Sequence, residues 1–298
     1  MQDIAILLER WQGRLELAGK AQRTREAYRE EIARLVKWSM PRDVTELTRA
    51  DLEDYLLARK RGGVGESSLG VIVCACKSFY RYIASNAADG LTSPTVRSKL
   101  QRTLTESEVE AVLMCIDTST VKGKRDVAIV GLMLATGLRA SEVCRLRLTE
   151  VDMERRAFRV VVKGGRENVR HFDEYAANLL AAWLAVRPGV ARPEVQNLFV
   201  AIPPKIRSKQ GVPLTRQGIK LLCLDLARRA DIPRFTPHAL RRTFATLATE
   251  YGCPSRLLQD AGGWSSVTML EIYAKAVQLR AFDQYSPLIR LMKRGETG

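Results

Sequence analysis

The sequence predicts a mainly α-helical protein of two domains with one small antiparallel β-sheet. Three observations predict it. Apolar residues recur at helical spacing through most of the chain. The only convincing strands are two β-compatible runs within residues 156–172, around Lys163-Gly164-Gly165, where paired glycines suit the positive φ values of a hairpin turn. A polar, aperiodic stretch with Gly90 and Pro94 separates two apolar halves, which sets domains at 1–95 and 104–298 and a linker at 96–103.

The elements follow in order. In TREAYREEIARLVKW, Tyr28, Ile32, Leu35 and Val36 form one helical stripe. Thr48, with Asp51 three residues on, reads as a capping box opening RADLEDYLLARK. RGGVGESS breaks the pattern, and Ser67 or Ser68 is expected to cap LGVIVCACKSFYRYIA. Beyond the linker, Thr105 caps ESEVEAVLMCI, and RDVAIVGLMLATG is a helix stopped at Gly137. ASEVCRLRL adds a turn or two, and NLFVAI (197–202) is expected as a third strand. TRQGIKLLCLDLARRA, PHALRRTFATLATEY, PSRLLQDAGG and VTMLEIYAKAV are helical, and an apolar tail follows.

Charge narrows the partner. The net charge is +15 over 298 residues, with 18 basic against 13 acidic residues in 1–103 and 30 against 20 in 104–298. Such a balance in both halves, with no apolar run long enough to span a bilayer, points to a polyanion, most often nucleic acid. The first residues carry Asp3 and Glu9 and no basic segment, so a cytoplasmic protein without a secretory signal is expected. The six cysteines sit in apolar helical patterns without metal spacing and are expected as buried thiols. No dinucleotide-binding or P-loop glycine motif is present, which argues against a nucleotide-dependent metabolic enzyme.

Three segments carry reactive side chains that a plain core does not need. In ATGLRASEV, Arg139 follows a glycine turn and Glu142 lies one helical turn on, spaced to orient its guanidinium. In TPHALRR, Thr236 reads as an N-cap and Pro237 as the first helical residue. His238 and Arg241 then share a face near a helix N-terminus, where anions are favoured. In GGWSSVTMLEIYAKAV, Gly262 and Gly263 end a helix, Trp264 follows, and Tyr273 comes nine residues later.

The order Arg139, hairpin Lys163, His238-x-x-Arg241, Trp264, Tyr273 resembles the tyrosine recombinase or phage integrase family, close in layout to Xer-like and Cre-like enzymes. TGLRASEV resembles the first-arginine box, HALRR the His-x-x-Arg box, and GGW followed by EIY the last box. The chain departs from the common pattern at Arg242, at Trp264 and at Ala274-Lys275. The resemblance implies a two-domain DNA clamp: a helical core-binding domain and a tyrosine-recombinase catalytic domain. It implies site-specific breakage and rejoining of duplex DNA through a 3′-phosphotyrosyl link, whether for integration, excision or resolution.

Each residue then has an expected role. Arg139 and Arg241 bind the non-bridging phosphate oxygens, and Glu142 supports Arg139. His238 donates to the phosphate or shuttles a proton, and Trp264 offers an indole N–H and a packing wall. Tyr273 is the nucleophile, and Lys163 protonates the leaving 5′-oxygen. With these cations in place, neither metal nor cofactor is expected. The resemblance further implies a monomer in solution that forms a homo- or hetero-tetramer on two DNA sites, with the C-terminal tail docking on a neighbour. A nucleoid-associated protein is expected, not a membrane one. Type IB topoisomerase-like relaxation and a non-enzymatic DNA-binding regulator remain as alternatives.

Overall fold

The computed structural model describes residues 4–94, 102–161, 167–202 and 211–264, together with Ser266 and Leu270. Lys163 and its glycine turn, most of the expected linker, Tyr273 and its helix, and the C-terminal tail lie outside the described residues. The chain divides into two compact units, residues 1–99 and 100–298.

In the first unit, α1 (Ile4–Leu17), α2 (Gln22–Ser39), α3 (Arg49–Arg61) and α4 (Glu66–Tyr82) pack around one core. Helical spacing sets which faces meet. Leu7, Trp11 and Leu15 of α1 turn inward, as do Ile32 and Leu35 of α2, while α4 buries Leu69, Ile72, Val73, Cys76, Phe79 and Tyr80. Tyr28 and Val36 border this core as partly buried residues. The capping box of Thr48 and Asp51 opens α3 as expected. Ser67 and Ser68 are not caps: α4 begins earlier, at Glu66, with Gly65 in the cap position. Glu66 complements the positive helix end, so the turn needs no hydroxyl.

The second unit opens with α5 (Glu106–Met114), capped by Thr105 in a capping box with Glu108. Next come α6 (Val121–Thr136) and α7 (Ala140–Arg145). The strands β1 (Val151–Asp152), β2 (Ala157–Val161) and β3 (Glu167–His171) form an antiparallel sheet in that order. Then follow α8 (Glu174–Val186), α9 (Arg216–Arg229), α10 (Pro237–Glu250) and α11 (Ser255–Gly262). Four consecutive residues of α6, Val127 to Val130, are buried, as befits a helix surrounded by protein.

Residues 197–202 do not form the expected third strand; β1 takes that place. Asn197 and Val200 make only isolated bridges, to Arg147 and Pro213. Leu198, Phe199 and Val200 are all buried, so the segment lacks the alternation of a sheet face. Side chains also take its carbonyls: Trp183 Nε1 donates to Leu198 O at 2.9 Å, and Arg187 donates to the carbonyls of Val195, Asn197 and Leu198. Among the described residues, no helix is long and apolar enough to cross a membrane.

Candidate active site

Gly137 begins the site. It ends α6 in the left-handed region, with φ of 62°, and donates its N–H to Met133 O at 2.9 Å. A Cβ there would lie 2.5 Å from the Phe244 ring, so the turn needs glycine for both its conformation and its space. The chain then buries Leu138 and sets Arg139 as the cap residue of α7. Glu142 accepts from the Arg139 backbone N–H at 2.8 Å and from its Nη1 at 2.9 Å. The carboxylate is 4% exposed and the guanidinium 43% exposed, so the pair has one dry side and one wet side. Burial pushes the Glu142 carboxyl up. The field of Arg170, whose Nη1 lies 3.6 Å away, and the bonds from Arg139 more than offset this and hold it below its ordinary value.

The N-terminal half of α10 supplies the second part. Thr236 stands at the N-cap and Pro237 at the first helical position, although the threonine side chain makes no capping hydrogen bond. Ala239, Leu240 and Thr243 face the core, and Thr243 Oγ1 accepts from Leu104 N at 2.9 Å. This anchors the face on which His238 and Arg241 stand three residues apart. Arg241 is 1% exposed. Its Nη1 donates to the carbonyls of Gly137 and of Gly262, the latter at 3.0 Å. Its guanidinium carbon sits 4.0 Å from the centre of the Trp264 ring, a cation–π contact.

Trp264 is positioned by the end of α11. Gly263 caps that helix in the left-handed region, with φ of 61°, as expected of the Gly-Gly pair. The indole behind it is buried and stacks on Phe244 with an interplanar angle of 1°. His238 keeps an exposed edge. Desolvation on its protein side, then the fields of Arg242, Arg241 and Arg139, hold the imidazole below its ordinary value.

The fold thus brings Arg139, Glu142, His238, Arg241 and Trp264 together from three segments distant in sequence. Lys163 and Tyr273 lie outside the described residues. Chemically, the cluster is a permanently cationic, partly dry surface with one neutral-leaning imidazole, suited to an anion that gains charge during reaction. Among the described residues, no three His, Cys, Asp or Glu side chains gather as metal ligands.

Two further residues belong to this neighbourhood. Arg242 adds positive field at His238. Arg170, on β3, is buried beneath Glu142 and also donates to Thr136 O at 3.5 Å. The sequence does carry a signal for Arg170: Phe172 is buried, and counting back two places along the strand puts residue 170 on the inner face.

Comparisons with known proteins give the family. The phage integrase family matches residues 102–279, and the phage integrase N-terminal SAM-like domain matches residues 7–89. Tyrosine recombinase XerC of Xylella fastidiosa (strain 9a5c) is 32% identical over 265 residues, covering 86% of each chain. Tyrosine recombinase XerD of Listeria innocua is 28% identical over 251 residues, covering 82% of this chain and 83% of that one. In fold, the chain is similar to XerH site-specific recombinase in a post-cleavage complex with its palindromic difH substrate. That match has a TM-score of 0.73 at 19% identity over 89% of this chain and 79% of the other. The chain therefore belongs to the phage integrase family, among the tyrosine recombinases.

Proposed function

We propose that this chain breaks and rejoins duplex DNA at specific sites, with Tyr273 as nucleophile and a 3′-phosphotyrosyl link as intermediate. The observation that carries the reading is the convergence of Arg139, His238, Arg241 and Trp264 on one partly dry cationic surface. A scissile phosphate there meets two guanidinium groups as charge grows on its non-bridging oxygens. The tyrosine oxygen bonds to phosphorus, the bond to the 5′-oxygen breaks, and that oxygen leaves with the electron pair. Lys163 supplies its proton. The phenol proton passes to His238, whose depressed pKa keeps it neutral and able to accept. A 5′-hydroxyl from a second strand then reverses the sequence. The phosphotyrosyl link conserves the bond energy, so the reaction needs no nucleotide, metal or cofactor.

Residues 1–95 serve as the core-binding domain and residues 104–298 as the catalytic domain, both meeting mainly phosphates through their excess of basic residues. The protein is monomeric alone, assembles as a tetramer on two duplex sites, and works in the cytoplasm at the nucleoid.

A nicked suicide substrate tests the reading. The wild-type chain forms an SDS-resistant adduct on it, and Tyr273→Phe forms none while binding the same DNA with unchanged affinity. An adduct in Tyr273→Phe would overturn the assignment of the nucleophile. Tight site-specific binding with no wild-type adduct would favour a non-enzymatic regulator.

A further inference from the structure

Four arginines are buried among the described residues, and three of them each make hydrogen bonds of 3.1 Å or shorter. Arg125 pairs with Asp126 and donates to Val200 O at 3.1 Å. Arg187 donates to three main-chain carbonyls. Arg241 bridges two carbonyls and covers an indole. Arg170 differs. Its side chain is 0% exposed, yet Nη1 alone finds partners, and both are at the long end of the range: Glu142 Oε2 at 3.6 Å and Thr136 O at 3.5 Å. Nε and Nη2 are buried with no hydrogen-bond partner among the described residues.

Such a residue is a poor structural choice. It faces Phe158 across the strand pair, where an aliphatic side chain would pack without desolvating a charge. What the guanidinium touches gives it another use. It abuts Glu142, which holds Arg139; the Thr136 carbonyl at the end of α6; and Gly263, where an added Cβ would meet its Cζ at 3.1 Å. These belong to two of the three segments that build the site.

We propose that Arg170 is a positioning residue: from β3 it fixes Glu142, and through Glu142 the guanidinium of Arg139, while its flat side seats the turn that carries Trp264. Its side chain is 0% exposed, and the groups it meets are Glu142, Thr136 O and the Gly263 turn. The inference rests on the proposed role of Arg139 in phosphate binding. The charged groups facing Glu142 are Arg139 from its own helix and Arg170 from β3, so removing Arg170 leaves a buried carboxylate with half its support.

The test is single-turnover cleavage of a suicide substrate by the full chain, measured across pH, with DNA affinity and thermal stability in parallel. In Arg170→Met, cleavage at neutral pH falls about tenfold or more, on the scale of losing a residue that orients a ligand-binding group. DNA affinity stays within about twofold, because uniform binding is untouched. The acid limb of the rate profile moves up as Glu142 protonates more readily. Arg170→Lys keeps the buried cation and restores the acid limb, but it stays slower than wild type, because an ammonium lacks the planar group that packs on the Gly263 turn. A wild-type rate and profile in Arg170→Met overturns the proposal. If that variant does not fold, a wild-type rate in Arg170→Lys overturns it instead. Affinity and stability falling in step with rate would assign Arg170 a purely structural role. Absence of any adduct with the wild-type chain would count against the recombination reading itself, which separates the two failures.

Discussion

The two units bury very different things. Among the described residues, the first encloses Leu, Ile, Val and aromatic side chains, and its only buried residue of polar type is Ser39. Two of its aromatic groups reach neutral partners: Tyr80 donates to Val44 O at 2.6 Å and Trp11 to Ser78 Oγ at 3.3 Å. The second unit buries Arg125, Asp126, Glu142, Arg170, Arg187 and Arg241. A buried charge costs several kcal/mol unless it is paired, so a fold does not accumulate charges for stability alone. Half of these six, Glu142, Arg170 and Arg241, adjoin Arg139 and Trp264. The difference teaches where chemistry is stored: one unit is built to hold its shape, the other to hold charge in a fixed place.

That contrast breaks if the first unit's core also governs the second. Phe79→Ala removes the ring that Trp11 meets edge-on at 5.4 Å and should cost about 3–5 kcal/mol in denaturant unfolding. Hydrogen exchange should locate the loss in α1 to α4. Equal loss of protection in α6 would show that the two cores are one cooperative unit.

A second variant pair sharpens the comparison within the charged unit. Arg139→Ala and Arg241→Ala should each raise the cleavage barrier by about 3 kcal/mol, the scale of a lost oxyanion donor. Arg241→Ala should lower the melting temperature more than Arg139→Ala, because Arg241 is buried on two carbonyls whereas the Arg139 side chain is 43% exposed. Equal melting losses in the two variants would erase the distinction.

The smallest effect concerns pH. The folded pKa of His238 is depressed, so the unfolded chain binds more protons around the ordinary histidine value, and stability rises with pH there. The contribution is present above the ordinary value and is lost as pH falls through the folded one. Melting between about pH 5 and pH 8 should show a shallower acid loss in His238→Gln than in wild type. An unchanged slope would mean that neither burial nor the arginine fields depress His238 in solution.

Much of this was legible in the sequence wherever a local rule acts on few residues. Gly137 stops α6, Gly263 stops α11, and Thr48 and Thr105 cap their helices, because each feature depends on a single turn. The pairing of Arg139 with Glu142 follows from helical spacing alone. What failed depended on distant partners. Residues 197–202 have strand composition, but Trp183 and Arg187 claim their carbonyls. α8 buries Ala176, Leu180 and Trp183 in a clean stripe, yet alanines on its flanks blur the contrast that marks an amphipathic helix. Arg170 hides for the opposite reason: a charged residue on a strand reads as solvent-facing, whereas it is the neighbouring Val169 that faces water, at 54% exposed.

The bridge that Arg241 makes between the carbonyls of Gly137 and Gly262 has a consequence for the order in which the chain matures. The partners stand 104 residues before it and 21 after it, so no early segment can close this contact. Chains emerge from the ribosome N-terminus first, and the first unit, compact in itself, is complete in sequence before α10 is translated. The guanidinium cluster, in contrast, stays incomplete until the turn at Gly262 has been made. A nascent chain already able to fold its first unit therefore cannot close this cluster until α11 and the turn after it have been translated.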